Sequence, residues 1–129
     1  MTAQEYHRWF IQTIGEVASI VKSELTFREI DEYECYLKAV LTFATGHTLH
    51  ISEYVILDSA GAERLKYRYQ LLDANNVHLA RWDNAPHHSG TESFPYHRHN
   101  ATGSIHPSRV MTLLDVVISS LAIIENDIR

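Results

Sequence analysis

The chain has 129 residues, enough for one hydrophobic core and too few for two independent ones. Apolar residues make up 45% and charged residues 21%, a globular balance that excludes disorder. The net charge of −5 excludes a generally basic nucleic-acid coat protein and confines any polyanion contact to a local patch.

Residues 1–129 therefore read as a single domain, and no repeat or Pro/Gly/Ser-rich linker divides them. The single cysteine, Cys35, has no partner for a bridge, so a reducing cytoplasm is the expected compartment. The longest apolar run is too short to span a bilayer, and the first residues lack a signal-peptide pattern.

The chain opens on a helical stripe, with Tyr6, Phe10, Ile14, Val17 and Val21 spaced by three and four. Thr2 and Glu5 stand at capping-box spacing before it. A weak strand is expected around 25–30, after which the period becomes two. In 34–43 one face carries Cys35, Leu37, Ala39, Leu41 and Phe43; in 48–57 it carries Leu49, Ile51, Glu53, Val55 and Leu57. Residues 64–72 place Leu65, Tyr67, Tyr69 and Leu71 on the same side, and 77–83 place Leu79, Arg81 and Asp83 there. Asp73-Ala74-Asn75-Asn76 supplies a tight hairpin turn, since Asn tolerates positive φ.

From Asn84 to Pro107 the alternation fails, and a connection of about two dozen residues inside a small domain is usually functional. A final helix is expected from Ser108 to about Asn126, apolar around most of its girth through Val110, Leu114, Val117, Leu121 and Ile124. Such a helix is buried on two sides or meets a partner, a second copy of the chain included. The expected fold is α+β: an antiparallel four- to five-stranded sheet flanked by an N-terminal and a C-terminal helix on one face.

Two features point to chemistry. Glu53 in mid-strand among Ile51 and Val55 needs a partner, and Arg81 is the obvious one. Glu53, Tyr69, Arg81 and Asp83 then form either a structural ion-pair network or one wall of a pocket whose other wall is the His-rich connection. The opposite sheet face, with Lys38, His50, Arg64, Lys66, Arg68, His78 and Trp82, reads as a solvated face, a docking surface for an acidic partner or a phosphate track.

The second feature is histidine: nine in the chain, six of them between His78 and His106. His87, His88, His97 and His99 fall within thirteen residues, beside Arg81, Asp83 and Arg98. One neutral and one protonated imidazole perform general base and acid catalysis on a phosphodiester, and arginine stabilises the charge on phosphorus. That chemistry requires no cofactor. Alternatively His97 and His99, two apart on one side of an extended segment, share a divalent metal with His88 and Asp83 or Glu53. A third reading is structural, with imidazoles capping loop backbone groups. His7, His47, His50 and His106 read as surface or turn residues.

The motifs Tyr67-Arg68-Tyr69, Arg81-Trp82-Asp83-Asn84-Ala85-Pro86-His87-His88 and Phe94-Pro95-Tyr96-His97-Arg98-His99 resemble the TumE-like family of small prokaryotic proteins. The resemblance runs from about Glu53 to the last helix, with Tyr96 where the family often has histidine and Arg98 where it often has lysine. It implies a growth-inhibiting toxin of a two-gene module, neutralised by a cognate antitoxin protein.

Joined to the residue chemistry, it gives the expectation of a histidine-dependent ribonuclease. His87, His88, His97 and His99 supply acid and base, Arg81 meets the phosphate, and Asp83 orients a histidine. Asn84, Tyr69, Arg98 and Glu53 hold substrate. The alternatives are a metal-dependent hydrolase on the same residues, and a non-enzymatic protein that sequesters a cellular component.

Overall fold

The computed structural model of the chain describes residues 1–85 and 95–129; His87 and His88 lie outside the described residues. Helix α1 spans Ala3–Gly15 and buries Ala3, Tyr6, Phe10 and Ile14. The expected capping box is present: Glu5 N donates to Thr2 Oγ1, and Glu5 accepts from the Thr2 amide. Val17 and Val21 lie beyond the helix, because the β-branched run around Ile20 and Val21 already enters a strand.

Seven strands follow, β1 (Ile20–Asp31), β2 (Glu34–Phe43), β3 (Thr48–Asp58), β4 (Gly61–Leu72), β5 (His78–Asp83), β6 (His97–His99) and β7 (Ile105–Pro107). They form one antiparallel meander in chain order. The sheet is thus larger than the four or five strands expected. The weak strand at 25–30 is a full twelve-residue edge, and the apparently irregular connection contains two three-residue strands too short to show a period.

The turn at 73–76 forms as expected, with Asn76 at φ 63°. The register slips between Leu71 and Leu72, so Leu71 pairs with Ala80 but Leu72 with His78. One residue of slip exchanges the faces of a strand. Ala80 and Trp82 therefore face the core, while Arg81 and Asp83 face the other way, the reverse of the expected assignment. Arg64, expected outside, turns inward: a slip between Tyr54 and Val55 pairs it with Val55, and its guanidinium lies over the rings of Tyr67 and Tyr69.

One core unites Leu37, Leu41, Leu49, Val55, Tyr69 and Leu71 of the sheet with Phe10 of α1 and Val116 of helix α2 (Leu113–Asp127). Helix α2 starts after Thr112 rather than near Ser108, because Thr112 and Asp115 make a second capping box. Its outer side leaves Leu114 and Ile118 exposed. His47, expected at the surface, is buried in the β2–β3 turn between Thr45 and Asp127 (both 2.7 Å), fastening the end of α2 to that turn.

Candidate active site and basic groove

The face of the sheet away from the main core is ordered by its register into three rows. One runs Arg28–Tyr36–Tyr54–Lys66, the next Thr26–Lys38–Ser52–Arg68–Asp83–His97, and the third His50–Gln70–Arg81–His99. Partners directly opposite on antiparallel strands share a face, so the short strand β6 brings His97 beside Asp83 and His99 beside Arg81.

Asp83 is the hub. Its Oδ1 accepts from the Ala85 amide (3.1 Å) and lies 2.7 Å from His97 Nε2. Its Oδ2 accepts from Arg81 Nε (3.0 Å) and lies 3.5 Å from His99 Nε2. Arg81 Nη2 stands 2.7 Å from His99 Nε2, and His97 Nδ1 donates to the Pro95 carbonyl at 2.9 Å. A guanidinium only donates, so His99 Nε2 is the acceptor there. The Pro95 carbonyl only accepts, so His97 Nδ1 is the donor there. The two imidazoles lie 5.0 Å apart, His99 accepting from Arg81 and His97 set against the Asp83 carboxylate. Asp83, His97 and His99 are buried, and Arg81 is the most exposed member, with 23% of its side chain accessible.

Beside this cluster the outer face forms a groove of about 840 Å³. Arg28, Lys38, Lys66, Arg68 and Arg81 line it, five of the eleven Lys and Arg of an acidic chain. Tyr36 and Tyr54 stack in its floor with ring centroids 4.7 Å apart, and Arg28 lies over Tyr36. The bond from Tyr54 Oη to Glu34 pushes the phenol up to about 12, so the ring stays neutral. Among the described residues Lys38, Lys66 and Arg68 have no acid within ion-pair distance.

Of the remaining candidates, Glu53 and Asn84 also line the groove, whereas Tyr69 and Arg98 do not. Glu53 does not pair with Arg81: on the inner face it accepts from Tyr6 and Tyr69, whose hydroxyl in turn accepts from Arg64 at 2.6 Å. Burial raises the Glu53 carboxyl above the usual carboxylate range, and burial likewise raises Tyr6 and Tyr69. That network closes a buried polar gap within the core. Asn84 ties down the start of the connection, accepting from the Tyr67 amide (2.8 Å) and donating to the Leu65 carbonyl (3.2 Å). Arg98 pairs with Trp82, on the face opposite Asp83 and His97. The sequence reading missed Arg28, Tyr36 and Tyr54 as groove residues. The signal was the Tyr36/Tyr54 pair on neighbouring alternating strands, which becomes legible once the β2–β3 register is known.

Sheet, helices and cluster together define a small α+β protein with a histidine–aspartate–arginine site beside a cationic groove. The family model for toxin TumE matches residues 10–128. The chain belongs to that family and is a toxin by membership. No curated protein and no solved structure matches it. No helix among the described residues is long and apolar enough to cross a membrane.

Proposed function

We propose that this toxin arrests growth as a histidine-dependent ribonuclease of the cytoplasm and is neutralised by a cognate antitoxin protein. The observation that carries the reading is the cluster: one carboxylate and one guanidinium gather two imidazoles at the edge of a cation-lined groove. In this reading the phosphodiester draws the Arg81 guanidinium, and His99 Nε2 then accepts the proton of the ribose 2′-hydroxyl. O2′ bonds to phosphorus, the P–O5′ bond breaks, and the leaving oxygen takes a proton from His87 or His88. Arg81 stabilises the extra negative charge on phosphorus. His97 is too deeply buried to touch substrate and serves to position Asp83, which in turn fixes Arg81.

The test incubates the full chain with a single-stranded RNA oligonucleotide in excess chelator. Cleavage is expected to persist in chelator and to fall by about 10²-fold or more in His99→Ala. Cleavage and growth arrest that survive in folded His99→Ala and His88→Ala variants defeat the proposal; toxicity without cleavage favours sequestration instead.

A second reading rests on a separate observation. Asp83, His97 and His99 each offer a ligand atom within 4.8 Å of the others, and the Pro95 carbonyl, accepting from His97 Nδ1, orients the ring as carbonyls do behind metal-bound imidazoles. These groups suit a divalent ion that would activate water. Against it, Arg81 adds a positive charge and engages the same nitrogen of His99 that the ion would use. Loss of cleavage in chelator, restored by a divalent metal, selects this reading.

A further inference from the structure

The groove has a direction as well as a charge. Its middle row runs from Lys38 on β2 through Ser52 and Arg68 to Asp83 on β5, three strand intervals, or about 14 Å at ~4.8 Å each. The flanking row adds Arg28 and Lys66 around the stacked Tyr36 and Tyr54. Cations therefore recur along a line that ends at Arg81 and the imidazoles, with aromatic faces at its far end. A compact phosphate ligand needs one cation or two; a row of this length suits a chain of phosphates. Around 14 Å corresponds to about four nucleotides at the ~3.4 Å rise of a stacked strand. Tyrosine faces favour bases that are open to stacking, which a duplex does not present. The protein's overall charge of −5 repels polyanions elsewhere, so the groove is the face that attracts one.

We infer that the outer-face groove is the track for single-stranded RNA, with Lys38, Arg68 and Lys66 contacting its phosphates and Tyr36/Tyr54 against a base. This deepens the ribonuclease proposal and rests on it for the choice of RNA. The track begins remote from the scissile bond and delivers it to Arg81, so its residues govern affinity rather than the chemical step.

The experiment measures fluorescence anisotropy of two labelled octamers, U8 RNA and its 2′-O-methyl analogue, which lacks the attacking hydroxyl, at several KCl concentrations. The wild-type protein should bind both. Lys38→Ala/Arg68→Ala, two exposed positions where folding is not at risk, should weaken binding of the analogue at least about tenfold. It should also reduce the slope of log K against log salt by about 1.4, at ~0.7 per phosphate contact on a single strand. Tyr36→Ala should weaken it by ~1 kcal/mol or more, about fivefold. Arg129→Ala, a cation outside the groove, should leave affinity within twofold.

Unchanged affinity and salt slope in the double variant overturn the track. So does equal or tighter binding of duplex RNA or of an acidic peptide. If the analogue binds as described but U8 is never cleaved, the ribonuclease reading falls and the track stands. If U8 is cleaved while the double variant binds normally, the track falls and the ribonuclease reading stands.

Discussion

Replacing Asp83 with asparagine tests the hub directly. The substitution keeps shape and volume, and the new amide oxygen still accepts from the Ala85 amide. What disappears is the charge facing Arg81 Nε at 3.0 Å and His97 Nε2 at 2.7 Å. A hydrogen bond to a charged group contributes about 1.5–3 kcal/mol, and stripping the partner from a buried charge costs about 3–5 kcal/mol. The Arg81 side chain keeps 23% of its surface exposed and relaxes partly toward water, so about 2–4 kcal/mol is expected. For a chain of this size that lowers Tm by about 6–20 °C. A domain stabilised by the usual ~5–15 kcal/mol remains folded at 25 °C, so function can still be read. With Arg81 released from its anchor, cleavage should fall by about 10²-fold through misplacement, with octamer affinity little changed. The assay is thermal unfolding by circular dichroism beside single-turnover cleavage of U8. A Tm within ~1 °C of wild type together with full cleavage would refute the assignment of Asp83 as the hub.

Three further outcomes follow from other parts of the molecule. The Glu53 carboxyl is raised by burial, so its stabilising contribution is complete below the unfolded value near pH ~4.3 and is lost as pH climbs through the raised folded value. Glu53→Gln removes that titration, and the Tm difference, wild type minus variant, should shrink steadily from pH 4 to 8; a difference that grows over this range contradicts the buried-carboxyl account. Burial also lifts the Cys35 thiol to about 11, so it should resist a thiol-reactive dye at pH 8 until denaturant unfolds the chain, and prompt native-state labelling would show the strand pairing around it to be wrong. Thr112→Ala removes the cap of α2 and should cost ~1 kcal/mol, or about 3–5 °C in Tm, measured in the same melts.

Much of the fold was legible because strands β2 and β3 alternate cleanly over ten and eleven residues, and Thr2 and Glu5 spell out a helix start. The toxin family was legible too, from the motifs around Arg81 and His97. The orientation of the site was not. Period-two reasoning carries a face assignment along a strand only while the pairing stays in phase, and the slip at Leu71/Leu72 puts Arg81 and Asp83 on the side opposite Glu53. The proposed Glu53–Arg81 pair was therefore impossible, and tyrosine hydroxyls took the role instead. Strands of three residues carry no periodic signal, so β6, the element that delivers both described histidines of the cluster, was hidden inside an apparent loop. The row of cations was visible residue by residue, but its proximity to the cluster depends on long-range register, which local sequence does not encode.

The two rims of the sheet carry a consequence for how any protein antagonist could approach. Strand β1 dresses its open side with Lys22, Glu24, Arg28, Glu29 and Asp31 and distorts near both extremities, while β7 is three residues long and finishes on a proline without an amide hydrogen. Borders built this way discourage an incoming strand from extending the ladder. With the other broad side of the sheet already roofed by two helices, the cationic hollow offers an approach among the described residues, and whatever sits there would shut out a nucleic acid by simple occupancy.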